Sequence, residues 1–466
     1  MGRDLQGLSR GRPVGEWFRA GLAIALAHFC LAANAQTGTL KPEEAKGKRV
    51  EPATKASQLR AFSVPVTALG FAAPGPLYLG QRTSFASLDF LDENRLLFTF
   101  RVPGLIRREQ PAGSPDSAPD DEERHIRAVL LTLPAGTVEA EALWTLHDRA
   151  PYLSMLRDGH FLVRDREQIF KADATLALKP YLRFPGPVLS VDLDPSQQYM
   201  VTNSREPLDL RQLATEEAKG GTVPAPSTAA ATVTETPSDD ERKTGAQAGI
   251  LMRILRMDTG KVMLFSHLRS PVHLPINGDG YLEQLRGRGM EWTLVLNSFT
   301  GGSATVGQVA SNCSPPVQFL SQRELLATSC NAQGGDTLVG MDTGGKKLWD
   351  AEIPPTETWP RAAVSADGSR LAWETLLLPY AVNANSPFGS EDIQGQRVRV
   401  YDAADGKLEL TAPASPVLDA GGNVAISPSG WRVAILDGGA IQVYELPLPA
   451  PLEDRSPPAN LDPVHK

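Results

Sequence analysis

Short apolar stretches that alternate with tight polar turns recur along most of this sequence. In the clearest example, residues 364–373, a small apolar strand leads into the turn Asp367-Gly368 and a second apolar strand follows. Aspartate and glycine tolerate the positive φ values that tight turns require, so this pattern predicts a β-hairpin. Two more short strands follow at residues 398–402 and 408–410, separated by a turn that contains Gly406. The stretch therefore predicts four consecutive strands joined by turns.

The same four-strand unit repeats along the chain. Where no insertion intervenes, successive units are roughly 40–45 residues apart, which is the period of a four-stranded propeller blade. The predicted fold class is therefore all-β, a seven-bladed β-propeller. The inner hairpins of the blades are predicted at residues 90–97, 155–162, 192–200, 276–282, 319–326, 364–373 and 426–433.

The two ends of the repeat region predict how the ring closes. Residues 59–69 alternate like a strand but have no hairpin partner downstream, and the last blade has no outermost strand after residues 440–446. An unpaired strand at each end would be a liability, and pairing the two removes both edges. We therefore expect the propeller to be closed by an N-terminal strand, with residues 59–69 antiparallel to residues 440–446. Pro65 is acceptable in an edge strand because its missing N–H can face solvent.

Three insertions interrupt the repeat, near residues 107–125, 212–249 and 378–396. The second is a Thr, Ala, Pro, Ser and Glu tract without large apolar residues, so it cannot offset the entropy of becoming ordered. We expect all three to be disordered. A domain boundary in the second insertion is disfavoured, because the strands on either side complete one blade only when they are joined across it.

The insertions share a position within their blades. If the strands of a blade are lettered A to D from the axis outward, each insertion lies between strands B and C. The B–C and D–A connections of a propeller lie on one face, so the three insertions decorate the same face. Loops on a rigid scaffold often carry binding sites, but long surface loops also cost little entropy per added residue. Both interpretations stay open.

The N-terminus has the features of a secretory signal. Four arginines precede an apolar run at residues 20–33, which ends in Ala33-Asn34-Ala35 before Gln36. This arrangement predicts a signal peptide at residues 1–35, with cleavage near Ala35/Gln36 and export to the periplasm or the medium. The apolar run is short for a transmembrane helix, so we expect no membrane span in the mature chain. We assign residues 36–57 to a flexible leader, 58–447 to the propeller and 448–466 to a C-terminal tail.

Cysteine usage bears on a possible disulfide, and net charge bears on the class of binding partner. Beyond the predicted signal peptide, Cys313 and Cys330 remain, on either side of a hairpin whose turn lies near residues 321–323. The two cysteines would then lie almost opposite each other, and an exported chain permits a disulfide. The alternative is two unrelated buried thiols. The formal charge of −8 and the pI near 5.5 argue against nucleic acid as a partner.

The outer hairpins carry a resemblance to known proteins. Residues 256–261, 341–346 and 401–407 each place an Asp and a Gly in a turn between two apolar strands. With these turns, residues 58–447 resemble the WD40-like and quinoprotein-like repeat propellers of exported bacterial proteins. Residues 341–349, which end in Trp349, look like the tryptophan-docking repeat of quinone-cofactor dehydrogenases. That family repeats the Trp in most blades, whereas this chain has a single copy, so we expect Trp349 to pack between blades and no cofactor to bind.

No catalytic motif or metal-ligand pattern stands out. The histidines are scattered, and the chain has no Gly-x-Ser-x-Gly, Walker or His-Glu-x-x-His motif. We therefore predict no catalytic, metal or cofactor residues. The candidate residues on the B–C/D–A face, taken from the segments that enter the blades, are His147, Arg149, His273, Trp359 and Arg361.

The sequence leaves the function open between classes. The favoured interpretation is an exported, non-catalytic binding or scaffold protein that acts through its B–C/D–A loop face on a protein, peptide or glycan. The alternative is a propeller enzyme, either a hydrolase or a quinoprotein-like oxidoreductase. A third interpretation is a role in envelope assembly, similar to that of the outer-membrane assembly propellers. We expect a monomer.

Overall fold

The computed structural model describes residues 54–55, 59–75, 85–102, 123–147, 151–207, 248–332, 334–382 and 388–448. The predicted signal peptide, most of the predicted leader and the C-terminal tail from residue 449 lie outside these residues. The greater part of the first two insertions lies outside them as well. Of the third insertion, residues 383–387 lie outside the described part of the chain.

The described strands are all short and fall into consecutive groups. The two N-terminal strands are β1 (Thr54–Lys55) and β2 (Arg60–Pro65). Blade 1 contains β3 (Ala86–Phe90), β4 (Arg95–Arg101), β5 (Arg124–Thr132) and β6 (Thr137–Leu146). Blade 2 contains β7 (Leu153–Met155), β8 (Phe161–Asp165), β9 (Gln168–Ala172) and β10 (Lys179–Arg183). Blade 3 contains β11 (Val188–Leu193), β12 (Tyr199–Pro207), β13 (Ala248–Arg256) and β14 (Val262–Leu268).

Blades 4 to 7 continue the series. Blade 4 contains β15 (Gly280–Arg286), β16 (Glu291–Ser298) and β17 (Ser303–Ala310), and blade 5 contains β18 (Val317–Phe319), β19 (Glu324–Cys330), β20 (Asp336–Asp342) and β21 (Lys347–Ile353). Blade 6 contains β22 (Glu357–Val364), β23 (Arg370–Leu377), β24 (Gly395–Asp402) and β25 (Leu408–Ala414). Blade 7 contains β26 (Val424–Ile426), β27 (Arg432–Asp437) and β28 (Ala440–Glu445). Two short 3-10 helices lie at Thr67–Leu69 and Ser390–Asp392.

These strands form seven separate sheets, one for each blade, so the predicted all-β, seven-bladed propeller is confirmed. Within each blade, consecutive strands pair antiparallel. In blade 1, for example, Leu88 of β3 pairs with Phe98 of β4, and Leu97 of β4 pairs with Leu130 of β5. The burial pattern follows from blade packing: both faces of strand B lie against neighbouring blades, and all five residues at positions 96–100 of β4 are buried. The outer strand β6 instead begins with three exposed residues and then alternates between exposed positions and partly or fully buried ones, with Trp144 and Leu146 buried.

The N-terminal strand closes the ring as predicted. Strand β2 pairs antiparallel with β28 and supplies the outermost strand of blade 7, with Phe62 opposite Val443 and Val64 opposite Ile441. Just beyond β2, the Val66 N–H donates to the carbonyl of Gly439 at 3.1 Å. Val64 and Val66 are buried in the core between blade 7 and blade 1. The apolar face of β2 therefore completes the core at the seam of the ring.

Polar contacts cross the same seam between blades 7 and 1. The Arg432 Nη1 donates to the Glu93 carbonyl and to Asn94 Oδ1, both at 2.9 Å. The Ser429 N–H donates to Glu93 Oε1 at 2.6 Å. Both contacts come from the A–B turns of their blades, so backbone pairing at the rim and turn contacts nearer the axis hold the seam together.

Blade 4 differs from the prediction of four full strands. Among the described residues it has three strands, β15 to β17, and the expected inner strand near Ile276 is reduced to a single bridge between Ile276 and Tyr281. Pro271 and Pro275 precede this bridge, and proline has no N–H to donate to a strand ladder. The segment nevertheless follows the inner edge of the blade, because the Leu282 N–H donates to the Pro275 carbonyl at 2.8 Å.

Blade 6 has an additional strand. Thr54 and Lys55 pair in parallel with Leu410 and Thr411 at the outer edge of β25. These two residues belong to the segment assigned to the leader.

Trp349 packs between neighbouring blades, as the single copy of its motif suggested. Its Nε1 donates to the Ala403 carbonyl of blade 6 at 2.6 Å. A Cβ at Gly340 or at Gly406 would lie within 2.6 Å of its indole ring, so both positions have room only for glycine. Trp349 thus docks blade 5 onto blade 6.

Cys313 and Cys330 form a disulfide, with their Cα atoms 5.7 Å apart. Cys330 ends β19 and Cys313 precedes β18, so the bond lies at the open end of the hairpin formed by these strands. Separately, no helix among the described residues is long and apolar enough to cross a membrane.

The seam gives a first test, because neighbouring residues of β2 face opposite environments. Val64 is buried in the core and Ser63 is exposed. Val64→Asp places an unpaired charge against the apolar seam and should lower the free energy of unfolding by about 3 kcal/mol or more. Ser63→Asp adds the same charge on the solvent side and should change it by about 0.5 kcal/mol or less. Urea denaturation measures both, and equal effects of the two substitutions would contradict closure through β2.

Thiol titration tests the disulfide directly. The full chain contains three cysteines, and two of them are joined in this bond. After the predicted cleavage near Ala35/Gln36, which removes Cys30, the protein denatured without reductant should show no free thiol, and two after reduction. Two free thiols before reduction would rule out the disulfide.

Candidate functional site

One face of the propeller is closed by contacts between A–B turns. The Arg157 side chain extends from the β7–β8 turn of blade 2 and donates to the Ala366 carbonyl in the β22–β23 turn of blade 6. This hydrogen bond crosses the axis of the propeller. The Arg157 N–H donates to Gln197 Oε1 of blade 3 at 2.6 Å. Gln322 of blade 5 donates to Asp194 of blade 3 at 3.2 Å. These contacts link the turns of blades 2, 3, 5 and 6 across the A–B face.

The opposite face, with the D–A and B–C connections, opens into a cavity at the axis. This outer chamber has a volume of about 620 Å³. A second cavity of about 270 Å³, the inner chamber, lies toward the A–B turns. The lining of the outer chamber includes Pro151, His273, Val317, Arg361, Trp373 and Asp419. The lining of the inner chamber includes Asp89, Met155, Arg157, Arg361, Val424 and Ala425. Arg361 borders both chambers.

Arg361 is positioned by a local irregularity in β22 and by the loop before β26. The pairing of β22 with β23 shifts register between Thr358 and Arg361. The Arg361 Nη1 donates to the Ala420 carbonyl at 2.7 Å. The next residue, Gly421, has a φ of 71°, and a Cβ there would lie 2.3 Å from Arg361 Cδ. Glycine is therefore required for the arginine to lie against this loop.

Asp89 lies on strand A of blade 1 and borders the inner chamber. Its Oδ2 accepts a hydrogen bond from the Ser87 hydroxyl at 2.6 Å. Burial raises the pKa of Asp89 to about 7, although the Ser87 hydrogen bond and the positive charge of Arg361 act in the opposite direction. The carboxyl group therefore titrates near neutral pH.

Glu374 is a second buried acid close to Arg361. It lies in β23 with 1 % of its surface exposed. Its Oε1 accepts a hydrogen bond from Gln396 Nε2 at 2.8 Å, and its Oε2 accepts one from the Gly422 N–H at 3.4 Å. Burial raises its pKa to about 7, against the lowering effects of the Arg361 charge and of nearby backbone N–H groups. Buried acids with such shifts are found at functional sites, although structural networks produce them as well.

His273, which precedes the strands of blade 4, also lines the outer chamber. Its Nδ1 lies 3.2 Å from Asp192 Oδ1 and its Nε2 lies 3.2 Å from the Val317 carbonyl. Desolvation lowers the pKa of His273, but the hydrogen bond and the charge of Asp192 outweigh it, so the net pKa is raised. Since both ring nitrogens face acceptors, the protonated ring can donate to both.

The structure brings two of the five predicted face residues, His273 and Arg361, to the same chamber. His147 lies apart from it, where its N–H donates to Asp165 Oδ1 at 2.6 Å. Trp359 lies within β22, in the register shift between Thr358 and Arg361. Arg149 lies outside the described residues.

Sequence reasoning missed Asp89 and Glu374, although each has a signal in its strand pattern. In β3 the buried residues Ala86, Leu88 and Phe90 alternate with less buried ones, so Asp89 lies on the face turned away from the core. In β23 all residues from Arg370 to Leu376 are buried, and Glu374 is a charge within that run. A carboxylate in strand A or strand B of a blade, next to buried apolar residues, was the available signal.

Among the residues that the structure describes, no group of three or more His, Cys, Asp or Glu side chains is arranged to hold a metal ion.

Comparison with known proteins yields similarity of fold only. No protein-family model and no curated protein sequence matches the chain. Among solved structures, the acylaminoacyl peptidase of Pyrococcus horikoshii is 11 % identical with a TM-score of 0.44, over 77 % of this chain and 52 % of that one. This chain therefore spans about half the length of that enzyme.

Two propeller domains are also similar. The β-propeller domain of the Trilobed protease from Pyrococcus furiosus is 10 % identical with a TM-score of 0.40, over 78 % of this chain and 94 % of that one. The β-propeller domain of Cps50 (Swd1) from Myceliophteria thermophila is 12 % identical with a TM-score of 0.38, over 78 % of this chain and 96 % of that one.

The raised pKa of Glu374 predicts a pH-dependent effect of its neutral replacement. Because the pKa is about 7 in the folded state, above the ordinary glutamate value of 4.5, the unfolded state ionises first as the pH rises. Glu374 therefore lowers stability progressively between these two pH values. Glu374→Gln should be nearly neutral at pH 5 and stabilising by about 2 kcal/mol at pH 8.

Urea denaturation of both proteins at several pH values measures this difference. Glu352→Gln, which removes a carboxylate at an exposed position, is the matched control. A stability difference between wild type and Glu374→Gln that stays constant from pH 5 to pH 8 would show that the carboxyl group has an ordinary pKa.

Proposed function

We propose that this protein is an exported, non-catalytic binding or scaffold propeller whose ligand enters the outer chamber from the B–C/D–A face. The observation that carries the proposal is the difference between the two faces. Arg157 and neighbouring side chains link the A–B turns across the axis, whereas the other face has a cavity of about 620 Å³. That volume is in the usual range for ligand-binding cavities in proteins, about 300–1,000 Å³.

The bases of two insertions on the same face support the proposal. The second insertion begins after β12, where Glu206 Oε2 accepts a hydrogen bond from Arg253 Nη2 of β13 at 2.8 Å. The third begins after β23 and ends at β24, where Glu357 Oε1 accepts hydrogen bonds from Arg397 and Arg399, both at 2.7 Å. Glu357 is 3 % exposed. Ion pairs of this kind fix the points from which the insertions leave the sheet.

The disulfide is compatible with the proposed export. Disulfides persist in oxidising compartments such as the periplasm and the extracellular medium. The predicted cleavage near Ala35/Gln36 completes this part of the proposal, together with the expected monomer.

The enzyme alternative has one specific observation in its favour, the pair of buried acids Asp89 and Glu374 with pKa values near 7. The two acids differ in access, however. Asp89 borders the inner chamber, whereas Glu374 is 1 % exposed and hydrogen-bonded to Gln396 and to the N–H of Gly422. A general acid or base must be within hydrogen-bond reach of its substrate. The arrangement therefore favours binding over catalysis.

A chamber-filling variant tests the proposed function. Ala420 lines the outer chamber and holds Arg361 through its carbonyl group alone, so Ala420→Trp fills the chamber without removing that contact. Immobilised wild-type protein should retain a ligand from envelope extract, and the Trp variant should retain about tenfold less, a difference of about 1.4 kcal/mol. Mass spectrometry of the eluted polypeptides and glycans measures the retained amounts.

Thr259→Trp is the matched control. Thr259 is exposed in the β13–β14 turn, so the same side chain is added away from the chamber. Its retained material should equal that of the wild type. Identical retention by all three proteins would show that the outer chamber is not the binding site.

A further inference from the structure

Arg361 has an unused capacity for hydrogen bonding at the wall of the outer chamber. One of the five N–H donors of its guanidinium group donates to the Ala420 carbonyl, which leaves four without a protein acceptor among the described residues. No described carboxylate forms an ion pair with it. Arg361 is partly exposed and lines both chambers, so its remaining donors can meet a ligand there.

The two neighbouring acids are held by other groups. Asp89 accepts its hydrogen bond from the Ser87 hydroxyl, and Glu374 accepts from the Gln396 amide and the Gly422 N–H. Each acid therefore takes its hydrogen bonds from uncharged donors. The positive charge of Arg361 faces the chambers without a carboxylate in direct contact.

Two further donors along the same chamber have no acceptor. The Nε1 of Trp373 and the Nε2 of Gln318 are buried atoms without a hydrogen-bond partner among the described residues, and both residues line the outer chamber. Buried polar groups are nearly always paired, so an unpaired one calls for an explanation. Because both atoms are buried, a ligand in the chamber meets the partly exposed Arg361 and not these two donors.

The other charged groups of the outer chamber lining, His273 and Asp419, do not outweigh its hydrogen-bond donors. His273 lies with both ring nitrogens next to acceptors, Asp192 and the Val317 carbonyl. Asp419 is the acidic residue of the lining, and it is 8 % exposed. Arg361 therefore supplies the hydrogen-bond donors that a ligand in the chamber can reach.

We propose that the outer chamber binds the C-terminal carboxylate of a peptide, with Arg361 as the residue that recognises the carboxylate. This inference rests on the proposed function and specifies its ligand. The planar guanidinium group can donate two parallel hydrogen bonds to a carboxylate, an arrangement that is both strong and geometrically selective.

A peptide fits the rest of the chamber better than a free anion does. Pro151, Pro316, Val317 and Leu326 supply apolar surface to the lining, which can pack against the side chains of the last residues. Capture of a terminal carboxylate together with its neighbouring side chains is a known mode of peptide recognition.

The test compares two forms of one probe. The probe is a pool of N-dansylated tetrapeptides built from Ala, Val, Leu and Pro, prepared once with a free C-terminal carboxylate and once as the C-terminal amide. Fluorescence anisotropy should show binding of the acid pool to the full protein and at least about thirtyfold weaker binding of the amide pool, as expected for a charge-assisted hydrogen-bonded pair. Equal binding of the two pools would overturn the role of the carboxylate.

Variants of Arg361 locate the contact. Arg361→Gln should weaken binding of the acid pool by about thirtyfold and leave the amide pool unchanged, and Arg361→Lys should recover part of the loss because it keeps the charge. Arg288→Gln removes an exposed arginine outside the lining and is the control. If Arg361→Gln does not fold, the comparison of acid and amide pools in the wild type still decides.

The outcomes separate this inference from the proposed function. If both pools bind equally and Ala420→Trp abolishes both, the chamber is a binding site but the carboxylate inference is wrong. If neither pool binds the wild type, the peptide inference is wrong as well. Displacement of the acid pool by inorganic phosphate but not by acetate would identify phosphate as the preferred anion and would also contradict the inference.

Discussion

The pairing of β2 with β28 is the constraint on which the rest of the structure depends. Strand β2 completes blade 7, and the chain then continues to β3, the inner strand of blade 1. The Leu88 N–H of β3 donates to the Gly422 carbonyl, in the loop that precedes β26, at 3.1 Å. The same loop contacts Arg361 through Ala420 and Gly421. Closure of the ring at its rim therefore fixes the relative positions of blades 6, 7 and 1 at the axis, where the chambers lie.

This geometry explains the electrostatics at the axis. Asp89 comes from blade 1 and Glu374 and Arg361 come from blade 6, so the ring gathers one positive and two acidic groups where burial is deep. Burial raises the pKa of each acid to about 7, and the charge of Arg361 offsets part of the effect. The acids take their hydrogen bonds from uncharged groups, which leaves Arg361, a residue of both chamber linings, without an ion pair among the described carboxylates. An arginine held in this way is pre-organised for an anion.

The hairpins, the blade count and the closing strand were predictable from sequence because each depends on local patterns. Alternation, Asp-Gly turns and an unpaired strand at each end carry that information. The axial site was not predictable in the same way: Asp89 and Arg361 are far apart in the chain and approach only because the ring closes. Arg361 and His273 were selected as face residues, but their shared chamber depends on the loops of blade 7 and blade 5. The inner strand of blade 4 was predicted to be longer than it is, because Pro271 and Pro275 have no N–H to donate to a strand ladder.

Native-state hydrogen exchange in increasing urea tests most directly whether closure holds the site together. The Val66 N–H reports on the closing strand through its bond to Gly439, and the Leu88 N–H reports on the contact between blade 1 and the loop of blade 7. If the seam is one cooperative unit, both amides should exchange with the same free energy of opening and the same dependence on urea. If Leu88 keeps its protection under conditions where Val66 has lost it, the axial site does not depend on closure of the ring.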